Sequence, residues 1–332
     1  MSLINEKNYD RMPSAIIIGA TGQDGTFLYQ ILEEKKYNLL GIGRQKVITN
    51  NKNWDCSPID ICDFKLVSQI VRKIQPDEIY HLAAVHHSSQ DRIVDSVELL
   101  SQSYNVNVLS LFNFLEAMRQ FSPHSKLFYA ASSHIFGNPS VEPQDESTVI
   151  NPLAIYGITK ASGVYLCRMY RSLHHIFASV GILYNHESWF RDQQFVSQKI
   201  VKGAIDCKNN PQSKVILGDL TSEVDWGFAP DYVDAMHRIV MLPEADDFII
   251  ATGEKHTVEE FVNIAFNSLG LDWREFVEER KEIVTRPTVA FVGNPDKLMR
   301  KTGWKRSITF PDMIKLLIKN AGNSNESQIL YP

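Results

Sequence analysis

Apolar runs of strand length alternate with helix-periodic stretches through the first two thirds of the chain. Residues 16–18, reached through Ala15, predict a first strand, and the next stretch places Phe27, Leu28, Ile31 and Leu32 on one side of a helix. Residues 39–42 predict a second strand, residues 66–74 a helix and residues 78–82 another strand. A longer helix is expected over about 106–120, with Leu111, Phe112, Phe114, Leu115 and Met118 as its buried face. Residues 126–131 predict a strand, and a helix starts near Tyr156 and runs through residue 172. Strands and helices alternating at this spacing predict an α/β fold: a doubly wound parallel sheet with helices on both faces. From about Phe190 the pattern loosens, punctuated by Pro211, Pro230, Pro243 and Pro287. We read this part as a smaller C-terminal lobe closing over the carboxyl ends of the strands, where ligands bind in such sheets.

Bulk properties narrow the classes of function. The chain has 332 residues, 44% of them hydrophobic, and a net charge of −5, as expected of a soluble globular enzyme. There is no basic footprint, so nucleic acid is not an expected partner. No apolar run approaches the ~20 residues of a membrane span, and the first residues lack a signal-peptide core. Cys56, Cys62, Cys167 and Cys207 are scattered without a CxxC pair, which points away from disulfides and zinc and toward a cytoplasmic location. The expected organisation is a tail at 1–13, a dinucleotide-binding domain at 14–189 joined again by part of 225–255, a substrate-binding lobe mainly at 190–320, and a tail at 321–332.

Two signals carry chemistry. The first strand runs into Gly19-Ala20-Thr21-Gly22-Gln23-Asp24-Gly25, a glycine-rich turn opening a helix. Such a turn cradles a pyrophosphate on backbone N–H groups and predicts a Rossmann-type domain. After the second strand stands Gly43-Arg44-Gln45 instead of an acid. Arg44 can pair with a 2′-phosphate, which favours NADP over NAD, and a solvated surface arginine is the alternative. Asp60 and Ile61 are placed to meet an adenine edge; Asp60 could instead be a helix N-cap, a role open equally to Asp63. Leu82-Ala83-Ala84 ends a strand with small residues, against which a cofactor can lie. His86-His87 follows and borders the same pocket; adjacent histidines with no third ligand do not predict a metal site, and none is expected.

The second signal is Tyr156-Gly157-Ile158-Thr159-Lys160. A phenol and an ammonium four residues apart share a helix face, and the ammonium is expected to lower the tyrosine pKa toward working pH. Ser132-Ser133, at the end of the preceding strand, can hold the substrate hydroxyl that the tyrosine deprotonates.

These motifs together resemble the extended short-chain dehydrogenase/reductases, and more closely the GDP-mannose 4,6-dehydratase family. The closer resemblance rests on Gly22-Gln23-Asp24-Gly25, on residues 181–188 (Gly-Ile-Leu-Tyr-Asn-His-Glu-Ser), on Asp225-Trp226-Gly227 with Asp231-Tyr232-Val233, and on residues 248–253. It implies a nucleotide-sugar enzyme using NADP. Tyr156 takes the C4 hydroxyl proton while the C4 hydride passes to the cofactor, a further base removes the C5 proton and expels the C6 hydroxyl, and hydride returns to C6. The resemblance also implies cofactor contacts for Leu183, His186 and Arg191 and substrate contacts for Ser133, Asn185, Lys199 and Arg286. Lys160 would hold the nicotinamide ribose. A homodimer or homotetramer is implied, with the face of Leu109, Phe112, Leu115 and Met118, or its neighbours, as either the contact or plain core.

The chain departs from the family where the elimination happens. The family's Thr-Ser-Glu is Ser132-Ser133-His134, so a histidine stands in the place of the C5 base; a neutral imidazole can accept that proton near pH 7. Val224 replaces the arginine before Asp-Trp-Gly, Phe190 replaces the first arginine after Asn-His-Glu-Ser, and Thr288 follows Arg286-Pro287 where the family has an acid. The leading expectation is a 4,6-dehydratase on a GDP-sugar. The alternatives are a nucleotide-sugar C4 oxidoreductase or epimerase that no longer eliminates, and a catalytically silent NADP-binding member.

Overall fold

The computed structural model describes residues 12–44, 54–85, 97–284 and 290–321, with backbone only for 54–58. The strands are β1 (Ser14–Ile18), β2 (Asn38–Gly43), β3 (Trp54–Pro58), β4 (Glu78–His81), β5 (Lys126–Ser132), β6 (Phe177–Leu183), β7 (Asn185–Glu187), β8 (Val215–Leu217), β9 (Glu223–Val224), β10 (Trp226–Phe228), β11 (Asp247–Ile250), β12 (His256–Thr257) and β13 (Val277–Glu279). The helices are α1 (Gln23–Glu34), α2 (Phe64–Ile74), α3 (Val97–Tyr104), α4 (Ser110–Phe121), α5 (Ile155–His174), α6 (Val196–Asn209), α7 (Ala229–Val240), α8 (Val258–Ser268), α9 (Asp296–Thr302) and α10 (Phe310–Asn320). No helix among the described residues is long and apolar enough to cross a membrane.

Seven strands form one parallel sheet in the order β11-β6-β5-β4-β1-β2-β3. β1 is buried along its whole length, and its alternate residues feed two cores. Ile16 and Ile18 join the core under α2, α4 and α5, while Ala15 and Ile17 join the core under α1, α7 and α9. A strand buried on both faces reads as an unbroken apolar run, which is why Ser14-Ala15-Ile16-Ile17-Ile18 carries no alternation. The strand order reverses between β1 and β4, which opens a crevice at their carboxyl ends. A third core, built from α6, α8 and α10 with Trp226 and Phe276, forms the smaller lobe. The chain crosses back after it begins: α7, β11 and α9 all pack with the main sheet.

The helix expected at 106–120 is part of a longer helical run, α3 followed by a π-turn at Asn105–Leu109 and then α4. Leu111, Phe114, Leu115 and Met118 are fully buried, whereas Phe112 is 38% exposed. Phe112 lies off the i, i+3, i+4, i+7 stripe that the other four make, so its place in the expected buried face is a correction. Both tail assignments fall outside the described residues for 1–11 and 322–332. Leu115→Ala is expected to cost about 2–5 kcal/mol in urea unfolding, the range for truncating a buried leucine, and clearly more than Phe112→Ala. Equal costs would contradict the stripe.

Candidate active site

The glycine-rich turn is shaped by a close return of the backbone on itself. Gly19 sits at φ +90°, and a Cβ there would lie 2.8 Å from Ala83 N. A Cβ on Gly25 would meet Gly19 O at 2.4 Å and Ala20 Cα at 2.7 Å, so only glycine fits both places. The amides of Gly19 and Ala20 donate to Ile42 O, which fixes the turn beside the end of β2. α1 begins at Gly22 with no side-chain cap, so its first-turn N–H groups face outward without a side-chain acceptor. Thr21 is exposed at the crest. These features fit the phosphates of a dinucleotide.

The turn's side chains do not point into the crevice alone; they grip β7. Gln23 Nε2 donates to His186 O at 3.2 Å, and Ser188 Oγ donates to Gln23 Oε1 at 2.7 Å. His186 Nε2 lies 3.0 Å from both carboxylate oxygens of Asp24. Burial, the largest single influence, would raise the Asp24 pKa, but His186, joined by Gln23 and Arg191, holds the carboxyl below its ordinary value. The two strings that carry the resemblance are therefore in direct contact. Leu183, at the end of β6, is buried beside them.

Arg44 is exposed just past β2, near the turn. Asp60 is exposed past β3 and accepts from the Cys62 amide at 2.9 Å, while Asp63 caps α2 by accepting from Lys65 and Leu66. The cap role thus falls to Asp63, and Asp60 and Ile61 are left at the carboxyl edge of the sheet. Leu82 and Ala83 are half-buried and Ala84 exposed at the mouth of β4. His86 and Arg286 lie outside the described residues.

Ser132 ends β5, Ser133 and His134 open a short 3-10 turn, and Tyr156 and Lys160 lie in the first turns of α5. Gly157 lets this helix close on the turn, since a Cβ there would be 2.5 Å from His134 O. The Ser132 hydroxyl is hydrogen-bonded to Tyr156. The exposed ring of His134 stands edge-on to Tyr156 at 5.9 Å and tilted against Phe291 at 5.5 Å. Lys160 is 2% exposed; its Nζ donates to Ala130 O at 2.7 Å and sits 5.8 Å from the Tyr156 ring centre.

The expected lowering of the tyrosine by Lys160 is reversed. Burial pushes Tyr156 up to about 12, against the pull of the Ser132 hydrogen bond and of Arg191, and Lys160 is not among the groups that lower it. The same burial pushes Lys160 down to about 7, because a buried ammonium loses more hydration than Asp24 restores. The sequence shows the spacing of the pair but not its depth, and depth decides the sign.

Arg191 lies flat on Phe195, 3.8 Å from the ring centre, with Nε 3.7 Å from Glu187. Asn185 is exposed at the start of β7, and Lys199 is half-buried on α6. Phe190 packs its ring 5.3 Å from Phe27.

Sequence reasoning passed over two buried polar residues. Asn107 lies within the π-turn, fully buried. Its Oδ1 accepts from Val85 N at 2.9 Å and its Nδ2 donates to Thr159 Oγ1 at 2.9 Å, tying the mouth of β4 to the residue before Lys160. An asparagine flanked by Val106 and Val108 was the available signal. Asp225, quoted only for its resemblance, is 1% exposed and accepts from Thr252 N and Oγ1, Gly253 N and Gly293 N.

A sequence model of the family described as GDP-mannose 4,6 dehydratase matches residues 16–317. GDP-mannose 4,6 dehydratase 2 of Arabidopsis thaliana is 32% identical over 92% of this chain and 85% of its own length. GDP-mannose 4,6-dehydratase of Vibrio cholerae is 28% identical over 95% of each chain. Among solved structures, dTDP-glucose 4,6-dehydratase of Bacillus anthracis in complex with NAD superposes with a TM-score of 0.81 at 17% identity, covering 94% of this chain and 97% of that one. UDP-glucose 4-epimerase of Thermus thermophilus, also with NAD, gives 0.79 at 21% identity, covering 94% and 99%. At such identity these two establish the shared fold.

One consequence of the geometry is a stability signature. Lys160 is depressed to about 7 in the folded chain against 10.5 ordinarily. Between those values the unfolded chain holds the proton that the folded chain lacks, so this group makes stability rise with pH across that window. Relative to Lys160→Met, the wild type is expected to gain on the order of 2–4 kcal/mol between pH 7 and pH 10, read from denaturant melts at each pH. A constant difference would show that burial does not penalise the ammonium.

Proposed function

The chain belongs to the GDP-mannose 4,6-dehydratase family, and on that footing we propose that it removes water from a GDP-hexose with NADP as its resident cofactor. The carrying observation is the meeting of Ser132, His134, Tyr156 and Lys160 at the carboxyl end of β5, beside a glycine-rich turn shaped for phosphates. The turn from Gly19 to Gly25 would hold the pyrophosphate, Arg44 a 2′-phosphate, Asp60 and Ile61 the adenine, and Lys160 and His186 the nicotinamide half. The bound nicotinamide supplies a hydride acceptor that later becomes the donor. NADP in preference to NAD rests on Arg44 at the end of β2.

In this reading Tyr156 Oη takes the C4 hydroxyl proton, with Ser132 Oγ aligning the same hydroxyl. With its pKa pushed up to about 12, the phenol keeps its proton at rest, and a positive charge brought beside it, as a bound oxidised nicotinamide would bring, favours the phenolate that does this. The C4 ketone acidifies the C5 hydrogen. A ring nitrogen of His134 takes that proton, the C6–O bond breaks, and the imidazolium gives the proton to the departing oxygen, so that water leaves. C6 would then take back the hydride and C5 a proton, delivered through the solvent-exposed ring of His134 and balancing the one that Tyr156 drew from the C4 hydroxyl, giving a 4-keto-6-deoxy sugar and one water. Ser133, Asn185, Lys199 and Arg286 would contact the sugar nucleotide.

The exposed apolar side chains of α4 and α5, Phe112, Tyr165, Met169 and Leu173, support a homodimer through this face. Leu115 and Met118 belong to the core instead.

Incubating the purified protein with GDP-mannose is expected to give a product lighter by one water. Tyr156→Phe should abolish it, and His134→Ala should slow it by about 10²–10⁴-fold. An unchanged mass with the dinucleotide still bound would remove the elimination and leave C4 oxidoreduction or epimerisation. Phe112→Asp combined with Tyr165→Asp is expected to shift the light-scattering mass to that of a monomer; an unchanged mass would rule this face out as the contact.

A further inference from the structure

His186 is bracketed by two groups that can only accept, a carbonyl and a carboxylate. Nδ1 lies 2.8 Å from Tyr184 O, and Nε2 lies 3.0 Å from both oxygens of Asp24. A neutral imidazole carries one N–H, so neither tautomer satisfies both contacts; the doubly protonated ring does. The ring is 7% exposed and stacks on Tyr232, 4.6 Å between centres at 22°, an aromatic face that favours a cation.

Among the described residues, the other charged and titratable neighbours are few. Arg191, past the end of β7, opposes the charge, and Tyr232 of α7 lies under the ring. Glu187, next along β7, is turned to Ser197 Oγ. Tyr156 and Lys160 of α5 both feel the Asp24 carboxylate, which raises each of them. Burial, the largest single influence, disfavours the imidazolium, yet the Asp24 carboxylate together with the Tyr184 carbonyl holds the ring above its ordinary value.

The position of Asp24 gives this proton its consequence. Asp24 lies in the first turn of α1, whose N–H groups have no side-chain cap. That end of a helix attracts anions, and a bare carboxylate placed there would both consume the attraction and repel a phosphate. We propose that His186 is an imidazolium at neutral pH whose charge cancels Asp24, so that the turn's grip on an anionic dinucleotide depends on this one proton. His186 is in this role a positioning residue acting through Asp24. The inference rests on the dinucleotide reading above and adds that affinity and pH are coupled through the α1–β7 contact.

The test is calorimetric titration with NADP⁺ from pH 7 to pH 9.5, a range in which the 2′-phosphate, with a pKa of about 6, no longer titrates. Wild-type affinity is expected to fall by about tenfold or more, the scale of one uncompensated charge beside an anion. His186→Gln should bind weakly already at pH 7 and keep only the slope that Lys160 contributes. Asp24→Asn, which has no carboxylate to cancel, should likewise lose the steep part. Parallel melts without ligand read the proton directly. A folded value raised above 6.5 gives stability that is complete below 6.5 and lost as pH rises through the raised value, so the wild type should decline relative to His186→Gln across the range. Identical slopes for wild type and both variants, in binding and in melting, would overturn the imidazolium. No NADP⁺ binding by the wild type at pH 7, with the melting difference intact, would instead remove the dinucleotide reading and with it the coupling to phosphate.

Discussion

The architecture of the site depends on how tightly the backbone doubles back between Gly19 and Gly25. A side chain at either end would collide with main-chain atoms, at 2.8 Å from Ala83 N or 2.4 Å from Gly19 O. Because the turn is so short, two of the five residues inside it, Gln23 and Asp24, emerge at the start of α1 facing the neighbouring β7. There they hold His186 and Ser188. Steric exclusion at two glycines thus sets where β7 lies, and β7 sets where Arg191 begins.

Deep burial of ionisable groups is the second theme. Tyr156 and Lys160 stand in a dry environment that raises the phenol and lowers the amine, so the ground state holds both closer to neutral than their spacing suggests. Such a pair is costly for the folded protein, because burial drives two nearly equal proton affinities apart, to about 12 for the phenol and about 7 for the amine, and leaves both groups neutral at rest. Stability and function pull against each other here in the usual manner of strained sites.

Much of this was legible in the chain. The unbroken Ser14–Ile18 strand, the glycine turn, the strand ending in Ser132 and the helix carrying Tyr156 and Lys160 follow from periodicity and turn chemistry. The register of Phe112 was not, because a π-turn just upstream and a local stripe of four better-placed residues decide which side of α4 it takes. Nor was the sign of the tyrosine shift, since spacing says which groups are near and says nothing of how much water remains. Asn107 and Asp225 were missed for a related reason. A buried polar residue becomes informative only when its partners, distant in sequence, are known: Thr159 for one, Thr252 and Gly293 for the other.

Asp225 also bears on which sequences this fold can accept. Its two oxygens receive four donors from the chain just after β11 and from the segment ahead of α9. Asparagine, the closest substitute in shape, would turn an amino group toward donors; glutamate would need room that a residue 1% exposed does not have. Neighbouring Val224, at the half-buried end of a two-residue strand, is under no such demand. Adjacent positions in one motif therefore differ sharply in evolutionary freedom. The side chain at 224 can change while the scaffold at 225 stays fixed.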